Sequence, residues 1–246
     1  MNKGNEPAKW GNFELCRSLD LARGNQFATF ENCQNGFRRL SDINDCFELI
    51  GKNMSNPKSL LAALLFARSH SAFIGGCGAG LSGASAEAFA LSRLAIEHAG
   101  YALLIHTQPK LGEVWLNRSS DKRAVRDAFT NAAVRNALKG ADEKLAAIYS
   151  HLYEATIDFG AHPNELSLTG SMTITSSGGD QTYAVRYFDD RPLIICHAMK
   201  SSAEAGLCSL HVFQHVFPER FLLLGVRDKL TVLRQDLATV FKPPPQ

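Results

Sequence analysis

The 246-residue sequence predicts a mostly α-helical bundle with a small β-hairpin and a C-terminal pair of helices. Apolar residues recur at three- and four-residue steps over long stretches, which is the period of a helix. One later stretch instead alternates apolar and polar residues around two glycines, as a hairpin does. Predicted strands and helices do not alternate along the chain, so the sequence does not predict a parallel sheet. We therefore expect a helical core over residues 1–164, a hairpin over 165–190, and helices over 191–246 that pack on the same domain.

The composition is that of an ordinary globular protein, with 45% hydrophobic and 20% charged residues, and it excludes disordered and fibrous classes. A net charge of +2 is too balanced to predict nucleic-acid binding from bulk charge, although a local basic patch is compatible with it. The six cysteines follow no disulfide framework, so we expect reduced thiols and a cytoplasmic location. No uninterrupted run of 18 apolar residues is present, so we expect no membrane partner.

Individual helices follow from periodicity and from the glycines and prolines that interrupt it. Residues 12–53 carry a weak amphipathic stripe. Residues 58–81 are strongly apolar and end in small residues, which would let another helix approach closely. Residues 86–107 are apolar nearly all round, which predicts the most buried helix of the bundle. Further helices are predicted over 121–138, 141–159, 193–217 and 219–240.

A polar stripe interrupts the apolar surface of the 86–107 helix. Arg93, Glu97 and Tyr101 stand at i, i+4 and i+8, so their side chains share one face. A buried charge is costly unless it is paired, so the stripe needs partners from other helices. The candidate partners are Arg118, His151, Tyr153, Asp158 and His162. Two interpretations stay open: a structural ion pair that fixes helix register, or a polar pocket with shifted pKa values.

A histidine precedes a proline at the end of the 141–159 helix, in the segment Gly-Ala-His162-Pro163-Asn164. The residue before a proline is pushed to extended geometry, so the side chain of His162 is expected to leave the helix axis. A histidine in that position could act as acid or base near neutral pH. The alternative is a capping histidine that bonds the last carbonyls of the helix.

Two further patterns resemble ligand motifs. Gly78, Gly80 and Gly83 form G-x-G-x-x-G, which binds a dinucleotide only where a strand precedes the glycines; tight packing of two helices is the alternative. Cys208, His211 and His215 form C-x2-H-x3-H, but a metal needs a third or fourth ligand and no acid stands nearby. The sequence therefore predicts neither a metal nor a bound cofactor.

The central segment resembles a known group of proteins in both the order and the spacing of its polar residues. The match spans residues 58–165 and includes Gly83, Glu87, Arg93, Glu97, Tyr101, Trp115, Arg118, His162 and Pro163. These positions resemble a broad set of uncharacterised bacterial helical proteins that are similar to HEPN-like bundles. Such bundles are often linked to RNA cleavage, nucleotide binding or phage defence.

This resemblance implies a metal-free site that acts on RNA or a nucleotide, in defence or stress. The implied catalytic residues are Arg93, Glu97, His98 and His162. The implied binding residues are Tyr101, Trp115, Arg118, Tyr153 and Asn164. Arg93 and His98 fit an R-x(4–6)-H spacing, but five residues place them about 140° apart on a straight helix. Within one chain they would therefore not share a face.

Three functions remain open at this point, and the sequence does not establish whether the protein is an enzyme. The first is a HEPN-like protein acting on RNA or a nucleotide. The second is a non-catalytic helical interaction module, forming a homodimer, in which the polar stripe is a structural ion pair. The third is a dinucleotide-binding enzyme that uses Gly78, Gly80 and Gly83.

Overall fold

The protein is a helical bundle into which one β-hairpin is inserted, which confirms the predicted fold class. A computed structural model describes Pro7 and residues 9–170, 172–177 and 180–243. In chain order the elements are a 3₁₀ turn (Trp10–Asn12), α1 (Glu14–Asn32), α2 (Gln34–Lys52), α3 (Leu60–Ser82), α4 (Ser85–Thr107), α5 (Lys110–Leu116), α6 (Lys122–Ala128), α7 (Asn131–Ala141), α8 (Glu143–Thr156), a π-helical turn (Ile157–Ala161), α9 (Glu165–Thr169), β1 (Met172–Ser177), β2 (Asp180–Val185), α10 (Pro192–Val216), α11 (Pro218–Leu223), α12 (Val226–Leu233) and α13 (Leu237–Val240).

Side-chain caps fix where several of these helices begin. At the starts of α3, α6, α7 and α8, the side chain of the capping residue accepts a hydrogen bond from the backbone N–H three residues further on. The capping residues are, in that order, Ser59, Asp121, Thr130 and Asp142. Such a cap stabilises a helix start by about 1 kcal/mol. The cap at Thr130 explains why the predicted 121–138 helix is in fact two helices, since it starts a new helix in the middle of that range.

The centre of the fold is the packing of α3, α4 and α10 against one another. Small residues permit this close approach, as predicted. A Cβ added to Gly80 would lie 3.5 Å from the backbone of Ala198 and Met199, and one added to Gly206 would lie 2.6 Å from the ring of Phe73. The glycines at the end of α3 are therefore packing residues between helices.

The most buried helix is α10, so the prediction that α4 would be the most buried is wrong. In α10, 16 of 25 residues are buried, whereas in α4 the number is 11 of 23. α10 is contacted by α2, α3, α4, α8, α11 and α12, and α4 also has neighbours on several sides. The helix α4 instead keeps one polar stripe, around Arg93 and Glu97, in a half-buried position.

Among the residues that the structure describes, two helices, α3 and α4, are long and apolar enough to cross a membrane by length and composition alone. This criterion is weak, because the core helix of a soluble protein also meets it. Inside the protein, 61% of the apolar window of α4 is buried but only 39% of that of α3. It follows that α3 leaves an apolar face exposed. The expected absence of a membrane partner stays a prediction.

The hairpin projects from the bundle and pairs β1 with β2 in antiparallel register, from Met172 opposite Val185 to Ser177 opposite Asp180. It is shorter than the predicted range of 165–190, because the short helix α9 occupies the start of that range. Residues 178 and 179, at the predicted turn, lie outside the described residues. β2 is exposed along its whole length, so the hairpin contributes little to the core.

A cluster around Asp189 fastens the base of the hairpin to the end of α3. The N–H of Asp189 donates to the carbonyl of Gly83 at 2.9 Å. Its buried carboxylate accepts from the backbone N–H and Nε of Arg191, both at 2.9 Å, and Arg191 Nη2 donates to the carbonyl of Gly170 at 2.9 Å. Burial alone would raise the pKa of Asp189, but the hydrogen bonds and charge of Arg191 outweigh it and lower the pKa. We call these four residues the hairpin clamp.

Candidate functional site

The polar stripe of α4 forms a hydrogen-bonded network with a tyrosine of α8. Arg93 Nε donates to Glu97 Oε1 at 2.8 Å, and Arg93 Nη2 donates to the hydroxyl of Tyr153 at 2.6 Å. The guanidinium also lies over the Tyr153 ring, 4.5 Å from its centroid. The side chains of Arg93 and Glu97 are 17% and 23% exposed. Of the five candidate partners, the structure brings Tyr153 to Arg93.

The electrostatics of this network keep Arg93 charged and Tyr153 protonated near neutral pH. Burial alone would lower the pKa of Arg93, but the hydrogen bond and charge of Glu97 outweigh it, and the pKa is raised. Burial raises the pKa of Tyr153, while the charge of Arg93 opposes that rise. Neither group is therefore suited to exchange a proton at pH 7.

We predict that Arg93 and Glu97 are energetically coupled, which a double-mutant cycle with Arg93→Met and Glu97→Leu measures. Each single variant leaves a largely buried charge without its partner and costs about 1–3 kcal/mol of unfolding free energy. The double variant should lose less than the sum, with a coupling above about 0.5 kcal/mol.

The control for this cycle is the exposed pair Arg123–Asp127 on α6, which has the same i, i+4 spacing and side chains 83% and 59% exposed. Exposed pairs of this kind contribute about 0.3–0.5 kcal/mol. A coupling for Arg93 and Glu97 no larger than that of the control would show that the two charges interact only as an exposed surface pair does.

Aromatic side chains form a second cluster, which joins Tyr101 of α4 to Trp115 of α5 and to Phe129, the residue after α6. The ring of Tyr101 lies 5.5 Å from that of Trp115 and 5.2 Å from that of Phe129, and Trp115 lies 4.9 Å from Phe129. Burial raises the pKa of Tyr101 to about 12. Tyr101 and Trp115, predicted as binding residues, are thus engaged in packing. Arg118 follows α5 and is exposed.

His98 lies on a different face of α4 from Arg93, as the helical angle predicts. Its Nδ1–H donates to the carbonyl of Leu94 at 2.7 Å. Burial lowers the pKa of His98, and the nearby charge of Arg68 on α3 lowers it further. Arg93 instead faces Tyr153 of α8. The structure therefore separates the two residues of the R-x(4–6)-H spacing.

His162 lies just after the π-helical turn, in the extended backbone that the following proline predicts, with φ −134° and ψ 147°. Its side chain is exposed. Asn164 Nδ2 donates to the carbonyl of Ile157 at 2.8 Å and so closes the turn. The turn itself is pressed against the start of α4, since a Cβ added to Gly160 would lie 2.4 Å from the carbonyl oxygen of Ala86. Sequence reasoning did not single out this contact.

The glycine motif lacks the context that dinucleotide binding requires. Gly78 and Gly80 lie within α3, and Gly83 ends that helix with φ 83°. The segment before them, Leu60–Ser82, is helix where the dinucleotide fold needs a strand. These glycines therefore serve helix packing and helix termination, and the dinucleotide-binding interpretation is set aside.

The Cys208, His211 and His215 motif lies on α10. Burial raises the pKa of Cys208 to about 12, so its thiol stays protonated near neutral pH. Within the described ranges, no group of three or more His, Cys, Asp or Glu side chains is placed to hold a metal ion. Cys208 and His211 instead line a cleft against α8, which the sequence pattern did not indicate.

Comparison of the chain with protein-family models, curated proteins and solved structures finds no match. The resemblance to HEPN-like bundles, and the catalytic and binding roles that it implies, therefore stay predictions.

Proposed function

We propose that the chain is a non-catalytic helical interaction module that pairs with a second copy of itself through α3. The observation that carries the proposal is an apolar seam on the solvent side of that helix. The α3 seam consists of Leu60, Leu64, Ala67, Ser71 and Ile74, all exposed. Its three large members are 67%, 54% and 51% exposed. Contiguous exposed apolar surface of this kind is typical of an interaction site.

The spacing of the α3 seam favours another helix as its occupant. Its members are separated by steps of four, three, four and three residues, the heptad pattern by which two helices coil around each other. The seam itself contains no charged residue, and Ala67 and Ser71 at its centre permit close approach. Its length, from Leu60 to Ile74, is about 21 Å.

The distribution of side-chain sizes favours a second copy of this chain. In an antiparallel pair centred on Ala67, Leu60 of one copy lies opposite Ile74 of the other, and Leu64 lies opposite Ser71. Leu60 and Ile74 then pack against each other at both ends, and each Leu64 meets a small side chain. A surface that is complementary to itself is what a two-fold dimer requires.

The Arg93 network supports a non-catalytic role for the module. Arg93 is engaged by Glu97 and Tyr153 of its own chain, and His98 is bonded to the backbone of its own helix. A phosphate-binding arginine would have to exchange these internal partners for substrate. We therefore interpret the network as the structural ion pair that fixes α4 against α8.

Sedimentation velocity tests the pairing. We expect the full chain to sediment near twice its mass of 26.9 kDa at micromolar concentration. Leu64→Glu, which places a charge in the seam, should give a folded monomer because the charge would be buried in the dimer. The matched control is Leu223→Glu on α11, an exposed leucine outside the seam, which should remain dimeric.

Three outcomes would overturn the proposed function. One is a monomeric wild-type chain, or a dimer that Leu64→Glu leaves intact. Another is sedimentation of the chain with phosphatidylcholine vesicles in place of self-association, which would assign the seam to lipid. The third is cleavage of RNA in the presence of EDTA that is lost in folded Arg93→Ala and His162→Ala variants, which would favour the HEPN-like function.

A further inference from the structure

A cleft of about 360 Å³ lies between α8 and α10, and none of the residues that line it belongs to the Arg93 network. Its walls are mainly apolar, and the large apolar side chains that line it are Leu145, Ile148, Leu152, Leu207 and Leu237. Clefts of a few hundred Å³, lined by apolar side chains with a few polar groups, are typical small-molecule sites. Nothing in the polar stripe or the α3 seam accounts for this cleft.

Within the described residues, the cleft wall includes one histidine nitrogen without a hydrogen-bond partner and one arginine without an ion pair. The Nε2 atom of His211 is sealed from solvent and has no hydrogen-bond partner among the residues that the structure describes. Arg234 also lines the cleft, and in the described part of the chain it forms no ion pair. Because the Nε2 atom is sealed, it does not open into the cleft, and the exposed Arg234 is the charged group that a ligand can reach.

The charges around the cleft favour an anion. Glu204 lines the cleft too, but it is paired with Lys200 at 3.2 Å, so its charge is compensated. Arg234 lies close enough to His211 for its charge to add to burial in lowering the pKa of that histidine; Asp142 at the start of α8 opposes the shift, and His215 adds to it. Of the two charged residues that line the cleft, Glu204 is therefore paired, whereas the exposed Arg234 forms no ion pair with the residues that the structure describes.

We propose that this cleft binds a small monocarboxylate that carries an aliphatic or aromatic tail. The tail packs against the leucines of α8 and α10, and the carboxylate pairs with the guanidinium of Arg234 at the edge of the cleft. A charge-assisted hydrogen bond of this kind gives orientation as well as affinity. The inference is independent of the α3 seam, because it uses no seam residue and no second copy.

Isothermal titration of the full chain with octanoate, and separately with octan-1-ol, tests the proposal. The two probes share the tail and differ in the charged head. We expect octanoate to bind at one site per chain, and octan-1-ol to bind about tenfold or more weakly because it cannot pair with Arg234. Proton NMR of the histidine ring hydrogens should show the His211 resonances shifting with octanoate.

Three variants distinguish the contribution of the Arg234 charge to binding from that of the apolar cleft. Arg234→Gln should weaken octanoate binding about tenfold and leave octan-1-ol unaffected. Arg227→Gln on α12, an exposed arginine that does not line the cleft, is the matched control and should bind octanoate normally. Ala147→Phe, at an exposed position on the rim, should fill the cleft and abolish binding of both probes without disturbing the core.

Several results would overturn the inference. Absence of octanoate binding at millimolar concentration would do so, as would equal affinity for octanoate and octan-1-ol. Binding that resists both Arg234→Gln and Ala147→Phe would place the ligand elsewhere on the protein. None of these results bears on self-association, which sedimentation measures separately.

Discussion

Ala95→Asp is expected to abolish folding of the protein. Ala95 is fully buried in α4, and its carbonyl accepts a hydrogen bond from Ser69 Oγ of α3 at 2.8 Å. A carboxylate at this position would be sealed from water. Burying an unpaired charge costs several kcal/mol or more, against a total stability of about 5–15 kcal/mol.

Soluble expression and thermal unfolding followed by circular dichroism measure this effect. The matched control is Ala28→Asp in α1, where the alanine is exposed and the added charge stays in water. We expect Ala28→Asp to unfold within a few degrees of the wild type. A soluble Ala95→Asp protein with an unchanged Tm would contradict the position of α4 in the core.

Gly83→Ala is expected to destabilise the protein far more than the same change at Gly225. Both glycines have positive φ, 83° and 67°, so alanine at either position incurs about 1–2 kcal/mol of left-handed backbone strain. At Gly225 nothing lies within 4 Å of the added Cβ, whereas at Gly83 the Cβ would lie 2.1 Å from the carbonyl oxygen of Asp189. Backbone atoms cannot give way as a flexible side chain can, so the hairpin clamp must open.

Urea denaturation of both variants measures the difference. We expect Gly225→Ala to lose about 1–2 kcal/mol, and Gly83→Ala to lose at least about 2 kcal/mol more because the clamp hydrogen bonds are also broken. Equal losses at the two positions would show that backbone strain alone explains both, and that Asp189 does not depend on close contact with Gly83.

The sequence could predict the long helices because their signals are local. The ends of the predicted helices 58–81 and 86–107 lie within two residues of the ends of α3 and α4. These helices are predictable because their apolar periodicity can be recognised within each segment alone. The ion pair between Arg93 and Glu97 was predictable for the same reason, because the i, i+4 spacing on a helix brings the two side chains together.

The parts that escaped prediction depend on contacts between distant segments. Tyr153 was one of five candidate partners for Arg93, and nothing local distinguished it, since 60 residues separate the two. The burial of α10 depends on the helices packed around it, and the cleft depends on how α8 and α10 pack against each other. Neither the burial of α10 nor the cleft can be recognised from the pattern of residues within one segment.

The hairpin clamp has a consequence for how this fold can vary. Because Asp189 and Arg191 fasten the chain back to Gly83 and Gly170, everything between residues 171 and 186 is an excursion whose two ends are already fixed. Lengthening such an excursion costs chain entropy only logarithmically. We therefore expect the hairpin to tolerate insertions, affinity tags and newly acquired recognition sequences with little effect on the stability of the helical bundle.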